Sequence, residues 1–188
     1  MRWRSEVDDE LSVWLAEGYA PAYRTAFLIL RNRHDAEEAV QDAFLRAWRF
    51  RAAVPAGEGV KPWLYRVVVN ACYSKLRSDP RRYGVAADGE AGGAAEMASG
   101  VDLGQGPEGL AVAGEQQRAV LAALGRMPDH LRVAVALRYY AQLSEKEIAA
   151  VIHRRPGTVK SRLHEARLRL GADPALRAFT ADDEEVAR

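Results

Sequence analysis

Apolar residues recur with helical spacing over both ends of this chain, and the pattern lapses in the middle. Leu11, Trp14 and Leu15 open one amphipathic stretch, and Tyr23, Phe27 and Leu30 continue a second. A third begins near Asp35, which with Glu38 three positions on makes an N-cap pair. Ala36, Val40, Ala43, Phe44, Ala47 and Trp48 then form one apolar stripe. The loop 54–59, rich in Pro and Gly, breaks the period. Pro62 suits the first turn of a fourth helix, where its missing N–H is no loss. That helix turns Leu64, Val67, Val68, Ala71 and Cys72 inward and runs to Asp79-Pro80.

After the lapse the period returns in four shorter helices. Residues 115–127 align Val120, Leu121, Leu124 and Met127, and Pro128 stops them. Asp129 can cap the next, which runs to about Ala141 with Leu131, Val135 and Tyr139 on one side. Ser144-Glu145-Lys146-Glu147 is a capping box opening a helix with Ile148, Ala149, Val151 and Ile152 inward. His153-Arg154-Arg155 makes a tight turn, and Pro156 stands at a first helical position. The last helix aligns Val159, Leu163, Ala166 and Leu170 and presents Lys160, Ser161, Arg162, His164, Arg167 and Arg169 opposite. No strand pattern appears; Val67-Val68-Val69 is β-prone locally, but the period around it is helical. The expected fold class is all-α: small helical domains at 1–83 and 115–170, joined by a flexible acidic linker at 84–114, with an acidic, disordered tail at 171–188.

Composition sharpens that division. The 188 residues are 48% apolar and 28% charged, enough for at least one core and ordinary for a soluble chain. The net charge of +1 conceals a pattern: residues 1–83 carry +3, residues 84–114 carry −5 with no Lys or Arg, and residues 115–188 carry +3. The middle holds nine of the fifteen glycines and few large apolar residues, too little to offset the entropy of ordering it. Within the ends, segments 60–83 and 146–170 each carry +5, the concentration of charge that phosphate backbones attract. A pair of solvated helix faces would look the same by charge alone. No stretch approaches the roughly 18 apolar residues of a membrane span, and the start turns acidic without a signal-peptide core. The expected location is the cytoplasm. Cys72 stands alone, which excludes an internal disulfide framework and a Cys-rich zinc site. No cofactor or metal is expected.

A short helix, a turn of about four residues and a helix with an apolar rear and basic front is the helix-turn-helix plan. The major groove admits one α-helix, whose early residues reach base edges. Thr158 and Ser161 can donate or accept there, while Lys160 and Arg162 can pair with guanine edges or phosphates.

The runs Leu143-Ser144-Glu145-Lys146-Glu147-Ile148-Ala149 and Pro156-Gly157-Thr158-Val159-Lys160-Ser161-Arg162-Leu163-His164-Glu165-Ala166-Arg167 resemble the sigma-4 domain of extracytoplasmic-function (ECF) sigma factors. The resemblance implies that this helix reads the −35 promoter element through Arg155, Thr158, Lys160, Ser161, Arg162 and Arg167, above buried Val159 and Leu163. Asp35-Ala36-Glu37-Glu38-Ala39-Val40-Gln41-Asp42-Ala43-Phe44-Leu45-Arg46-Ala47-Trp48 resembles the family's sigma-2 helix. That helix docks on the clamp coiled coil of core RNA polymerase, which implies contacts from Asp35, Glu38, Gln41, Asp42 and Leu45. The bland alternative is a core helix with a solvated acidic face. The segment from Pro62 to Arg77 is similar to the one that opens and reads the −10 element. Arg66, Lys75, Arg77, Arg81 and Arg82 would hold the strands, Asn70 would read a flipped base, and Trp63 would offer a flat ring. Trp63 and Tyr65 also fit as core residues. The loop 51–59 lacks the aromatic that usually completes the base pocket.

The resemblance covers about residues 8–82 and 115–170. It further implies docking on the polymerase flap, contact with double-stranded promoter DNA and the melted −10 strand, a linker threading the polymerase cleft, and an anti-sigma partner. Outside such complexes a monomer is expected. A stand-alone regulator of the response-regulator kind shares part of the helix-turn-helix run, but it would need an α/β receiver, and residues 1–83 show no βαβ alternation. For an enzyme there is no Walker loop, Ser-His-Asp set, metal-ligand spacing or Gly-x-Gly-x-x-Gly fingerprint.

Overall fold

The computed structural model describes Val13 and residues 17–54, 59–78 and 110–177. The stretch around Leu11, the linker, Arg81 and Arg82, and the end of the acidic tail lie outside the described residues. Among the described residues every regular element is helical, in keeping with the all-α expectation.

Among the described residues the first unit holds α1 (Tyr19–Leu30), α2 (Arg33–Arg49) and α3 (Val60–Ser78). Helix α1 ends at Arg31, in the left-handed region at φ 57°, whose N–H donates to the Phe27 carbonyl at 2.7 Å. Every residue from Thr25 to Leu30 is buried, so this end of α1 has neighbours on all sides. The N-cap of α2 is Asn32 rather than Asp35. Asn32 is extended, and its amide oxygen accepts from the Asp35 N–H at 2.9 Å. Asp35 therefore falls inside the first turn, where its charge meets the positive end of the helix dipole. The apolar stripe of α2 is mostly alanine: Ala36, Ala39, Val40, Ala43 and Ala47 are buried against α1 and α3. Phe44 is half-buried and meets Tyr19 edge-on at 5.9 Å. Trp48 departs from the stripe and is exposed, with the Arg51 guanidinium 5.1 Å over its ring.

The second unit holds α4 (Leu110–Gly125), α5 (Asp129–Val135), α6 (Glu145–Val151) and α7 (Pro156–Ala172). Helix α4 begins at Leu110 rather than at 115. Its buried face centres on Leu121 and Leu124, and Val120, roughly 70° from that centre, lies at its margin and is exposed. The N-cap of α5 is Pro128, not Asp129; the Asp129 carboxylate instead pairs with the Arg132 guanidinium at 2.5 Å. Helix α5 runs into one π turn, Ala136–Tyr140, closed by the Ala141 N–H on the Ala136 carbonyl at 3.1 Å. The extra residue in that turn rotates Tyr139 off the face of Leu131 and Val135 and into solvent. Helix α7 continues to Ala172, and Asp173 beyond it pairs with Arg126 at 2.5 Å.

The two units do not stand apart. Helices α4 and α5 and the π turn pack on α1, α6 packs on α3, and buried residues of both units form one continuous core.

Candidate nucleic-acid interface

Helix α6 has only seven residues, too few to hold itself in water, and its start is fixed by a full capping box. The Ser144 Oγ accepts from the Glu147 N–H at 3.3 Å, while the Ser144 N–H and Oγ donate to Glu147 Oε2 at 2.7 and 2.6 Å. These bonds, the hydroxyl first, hold the Glu147 carboxyl below the usual carboxylate range. At the other end His153 turns left-handed at φ 52°, and the Arg154 N–H donates back to the Ala149 carbonyl at 2.9 Å. That bond closes a Schellman-type end without the usual glycine. Pro156 then starts α7 as its first residue.

Below α7 lie Val159, Leu163 and Ala166, buried against α5 and α6. Arg155, Lys160, Ser161, His164 and Arg167 stand exposed above, and Thr158 and Arg162 are half-buried. Ser161 Oγ donates to the Gly157 carbonyl at 3.0 Å, so its lone pairs face outward as acceptors. Arg169 is neutralised by Glu165 one turn back, at 3.0 Å. Around the α7 N-terminus, His153, Arg154, Arg155 and Thr158 line an open cleft, where helix N–H groups and cations both favour a phosphate.

On α3, Asn70, Ser74 and Arg77 are exposed, while Trp63 and Arg66 are half-buried. The Arg66 Nε is buried with no hydrogen-bond partner among the described residues. Tyr65 belongs to the core: it is 3% exposed, and burial pushes its hydroxyl up to about 12. Cys72 is fully buried with its thiol pushed up to about 12, an inert small core residue.

The chain carries two family signatures. Residues 15–82 match the model of sigma-70 region 2, and residues 117–170 match that of sigma-70 region 4. It is 34% identical over 135 residues to the ECF RNA polymerase sigma-E factor of Escherichia coli K12, covering 71% of this chain and 70% of that protein. This chain belongs to the ECF sigma factors. It is 29% identical over 148 residues to ECF RNA polymerase sigma factor SigW of Bacillus subtilis, covering 77% and 78%. Two solved structures share the fold. One is the sigma factor RpoE in complex with the anti-sigma factor NepR from Bartonella quintana, with a TM-score of 0.60, 24% identity, and 86% and 92% covered. The other is CnrH in complex with the cytosolic domain of CnrY, with a TM-score of 0.59, 19% identity, and 96% and 97% covered. As an ECF sigma factor the protein is a promoter-specificity subunit of RNA polymerase. Among the described residues, no helix is long and apolar enough to cross a membrane.

Within this sigma factor the six residues expected on the −35 helix lie on α7 and the turn before it, where they wrap around the side not buried by Val159, Leu163 and Ala166, with Lys160 and Arg162 roughly 160° apart. The residues expected to dock on polymerase divide. Glu38, Gln41, Asp42 and Leu45 are exposed, whereas Asp35 is 8% exposed and lies 3.7 Å from Lys75. Lys75, expected on the −10 strand, is held inward by Glu38 at 2.7 Å and ties α3 to α2. Three residues were missed. Trp48, like Leu45 and Phe50, is an exposed large apolar side chain, with exposures of 47%, 69% and 59%. Arg154 lines the cleft beside Arg155. Tyr73 on α3 has its hydroxyl pushed up by burial, with Arg162 and Arg154 opposing that shift from the other unit. A break in the α2 stripe at Leu45-Arg46 and the density of cations at 153–155 were the available signals for the first two.

Proposed function

We propose that the second unit reads the −35 element through α7 and the first reads and opens the −10 element through α3. The observation that carries this is the polar, basic front of α7 above its buried Val159, Leu163 and Ala166. Arg155, Thr158, Lys160, Ser161, Arg162 and Arg167 are the −35 contacts. Arg154 joins them through the backbone, at the mouth of the cleft. Trp63, Arg66, Asn70 and Arg77 serve the −10 strand, with Arg81 and Arg82 beyond the described residues. Lys75 reaches DNA only by leaving Glu38.

Polymerase docks on the exposed side of α2: Glu38, Gln41, Asp42 and Leu45, with the ring of Trp48. An acidic rim around an apolar centre suits a basic coiled coil such as the clamp's, while the flap takes the second unit. Asp35 acts from inside by holding Lys75 and thereby α3. The chain works in the cytoplasm as a monomer outside its complexes and performs no catalysis itself; the active site is the polymerase's. An anti-sigma factor restrains it, a reading supported by the sigma factor of similar fold that is bound to one.

The test is run-off transcription with core polymerase on a pool of genomic fragments, using wild type, Arg162→Ala and Asn70→Ala. Wild type should select promoters. Arg162→Ala should lose about 1–3 kcal/mol at one −35 base, and Asn70→Ala should change preference at one −10 position. Identical promoter ratios for all three proteins would overturn the assignment.

A further inference from the structure

Helix α7 carries two stripes with the same spacing. Val159, Leu163, Ala166 and Leu170 recur at i, i+4, i+7 and i+11 and face the core. Gly157, Ser161, His164 and Leu168 repeat that spacing about 160° around the helix, and all four are exposed. This second stripe is the ridge of the basic front, the line that the floor of a groove meets first.

The ridge starts with a residue that folding does not explain. Gly157 is the second residue of α7, in ordinary right-handed helix, and a Cβ there would meet nothing within 4 Å. Glycine at this place weakens the helix relative to alanine without relieving any contact. What the missing side chain does provide is room on the outside for another surface to come close.

Ser161, one turn on, has a short side chain whose hydroxyl is already committed. Its Oγ donates to the Gly157 carbonyl at 3.0 Å. A hydroxyl has one proton, so toward the outside it offers lone pairs only. Lys160 and Arg162 leave the helix about 100° to either side of Ser161, toward the two walls of a groove and too far round to fill the space above the serine. His164 stands at the far end of that space. In the major groove adenine and cytosine present an exocyclic amine as donor, whereas guanine presents acceptors and thymine an acceptor and a methyl group. An outward lone pair attracts the first two bases and repels the others. To donate instead, Ser161 must give up its bond to Gly157.

We infer that Gly157 and Ser161 form a notch in the front of α7, which admits a base edge to the Ser161 oxygen and selects a base bearing an exocyclic amine, adenine or cytosine, at one position of the −35 element. The inference rests on the assignment of α7 to that element. Ser161 is then a specificity-determining residue, and Gly157 a positioning residue that acts by having no side chain. One neutral hydrogen bond, with a hydroxyl able to turn, corresponds to about a fivefold preference.

The test uses the full chain with core polymerase on a promoter taken from the genomic pool, and reads binding affinity. At each −35 position in turn, on either strand, only the amine is deleted: purine replaces adenine and 2-pyrimidinone replaces cytosine. At one position the deletion should weaken the wild type about fivefold and leave Ser161→Ala, which has already lost the acceptor, unaffected. Which analogue has the effect tells adenine from cytosine. Gly157→Leu should keep or raise Tm, because its side chain enters open space and leucine is the better helix former, while affinity for the same promoter falls at least about tenfold. Retained affinity in Gly157→Leu, a fall in its Tm, or amine deletions that affect wild type and Ser161→Ala equally at every position would overturn the notch. Equal wild-type affinity for the promoter and for a scrambled −35 element would instead remove the assignment of α7 to that element.

Discussion

Replacing Ser144 by alanine tests whether the reading unit depends on one hydroxyl. The substitution removes the acceptor for the Glu147 N–H at 3.3 Å and the donor to Glu147 Oε2 at 2.6 Å, leaving only the backbone bond at 2.7 Å. Loss of such a cap costs about 1 kcal/mol, which in a chain of this size lowers Tm by about 2–4 °C. The linkage has a definite sign. The Glu147 carboxyl sits below its ordinary range when folded, so its contribution is complete above the unfolded carboxylate's pKa and is lost as pH falls through the lower folded value. Ser144→Ala should therefore move the Glu147 titration, followed by carbon NMR of the carboxyl, back upward. The stability gap between variant and wild type should narrow in acid. Because α6 supports both α7 and α3, −35 binding should weaken without any DNA contact being removed. A Glu147 titration unchanged by the substitution would refute the reasoning, since the hydroxyl is the leading cause of the shift.

Lys160 is exposed on the front of α7, so Lys160→Ala should reduce the slope of log affinity against log salt by about 1, equally for cognate and scrambled −35 DNA; a loss confined to one sequence would make it a base reader. Leu45→Ala truncates a side chain that is 69% exposed and should leave stability within about 0.5 kcal/mol, while co-purification with core polymerase falls at least about tenfold; retained co-purification would place docking elsewhere. The Cys72 thiol, pushed up to about 12 by burial, should react with a disulfide reagent at pH 8 only on unfolding, and rapid labelling of the native chain would contradict its position.

What could be read from sequence was local. The capping box at Ser144, the proline at the start of α7 and the stripe of Val159, Leu163 and Ala166 depend on neighbours within one or two turns, and all stand as expected. The apolar period failed at Trp48, which leaves the stripe and stands exposed beneath Arg51, and where a π turn resets the phase, as at Tyr139. Asp35 was misplaced as a cap because Asn32 starts the helix three residues earlier and itself accepts the Asp35 N–H. The joining of the two units escaped for a different reason. Arg132 reads as a surface residue because isolated charges are almost never buried, and its acceptor on Ile29 lies 103 positions earlier. Yet a signal was present: Ala26-Phe27-Leu28-Ile29-Leu30 and Val133-Ala134-Val135-Ala136-Leu137 are unbroken apolar runs. A helix with no polar side needs cover all round, and neither unit supplies that by itself.

That separation of 103 positions also has a meaning in time. At about 5–20 residues per second, a ribosome needs roughly 5–20 s between adding Ile29 and adding Arg132. During that interval the first unit can assemble, but the apolar end of α1 has no cover from the second unit. Each newborn molecule thus passes through a period in which the surface later closed by its own C-terminal half is open to chaperones, to polymerase or to another nascent copy. The order in which the two halves are made leaves the apolar end of α1 uncovered until the second unit can fold back on it.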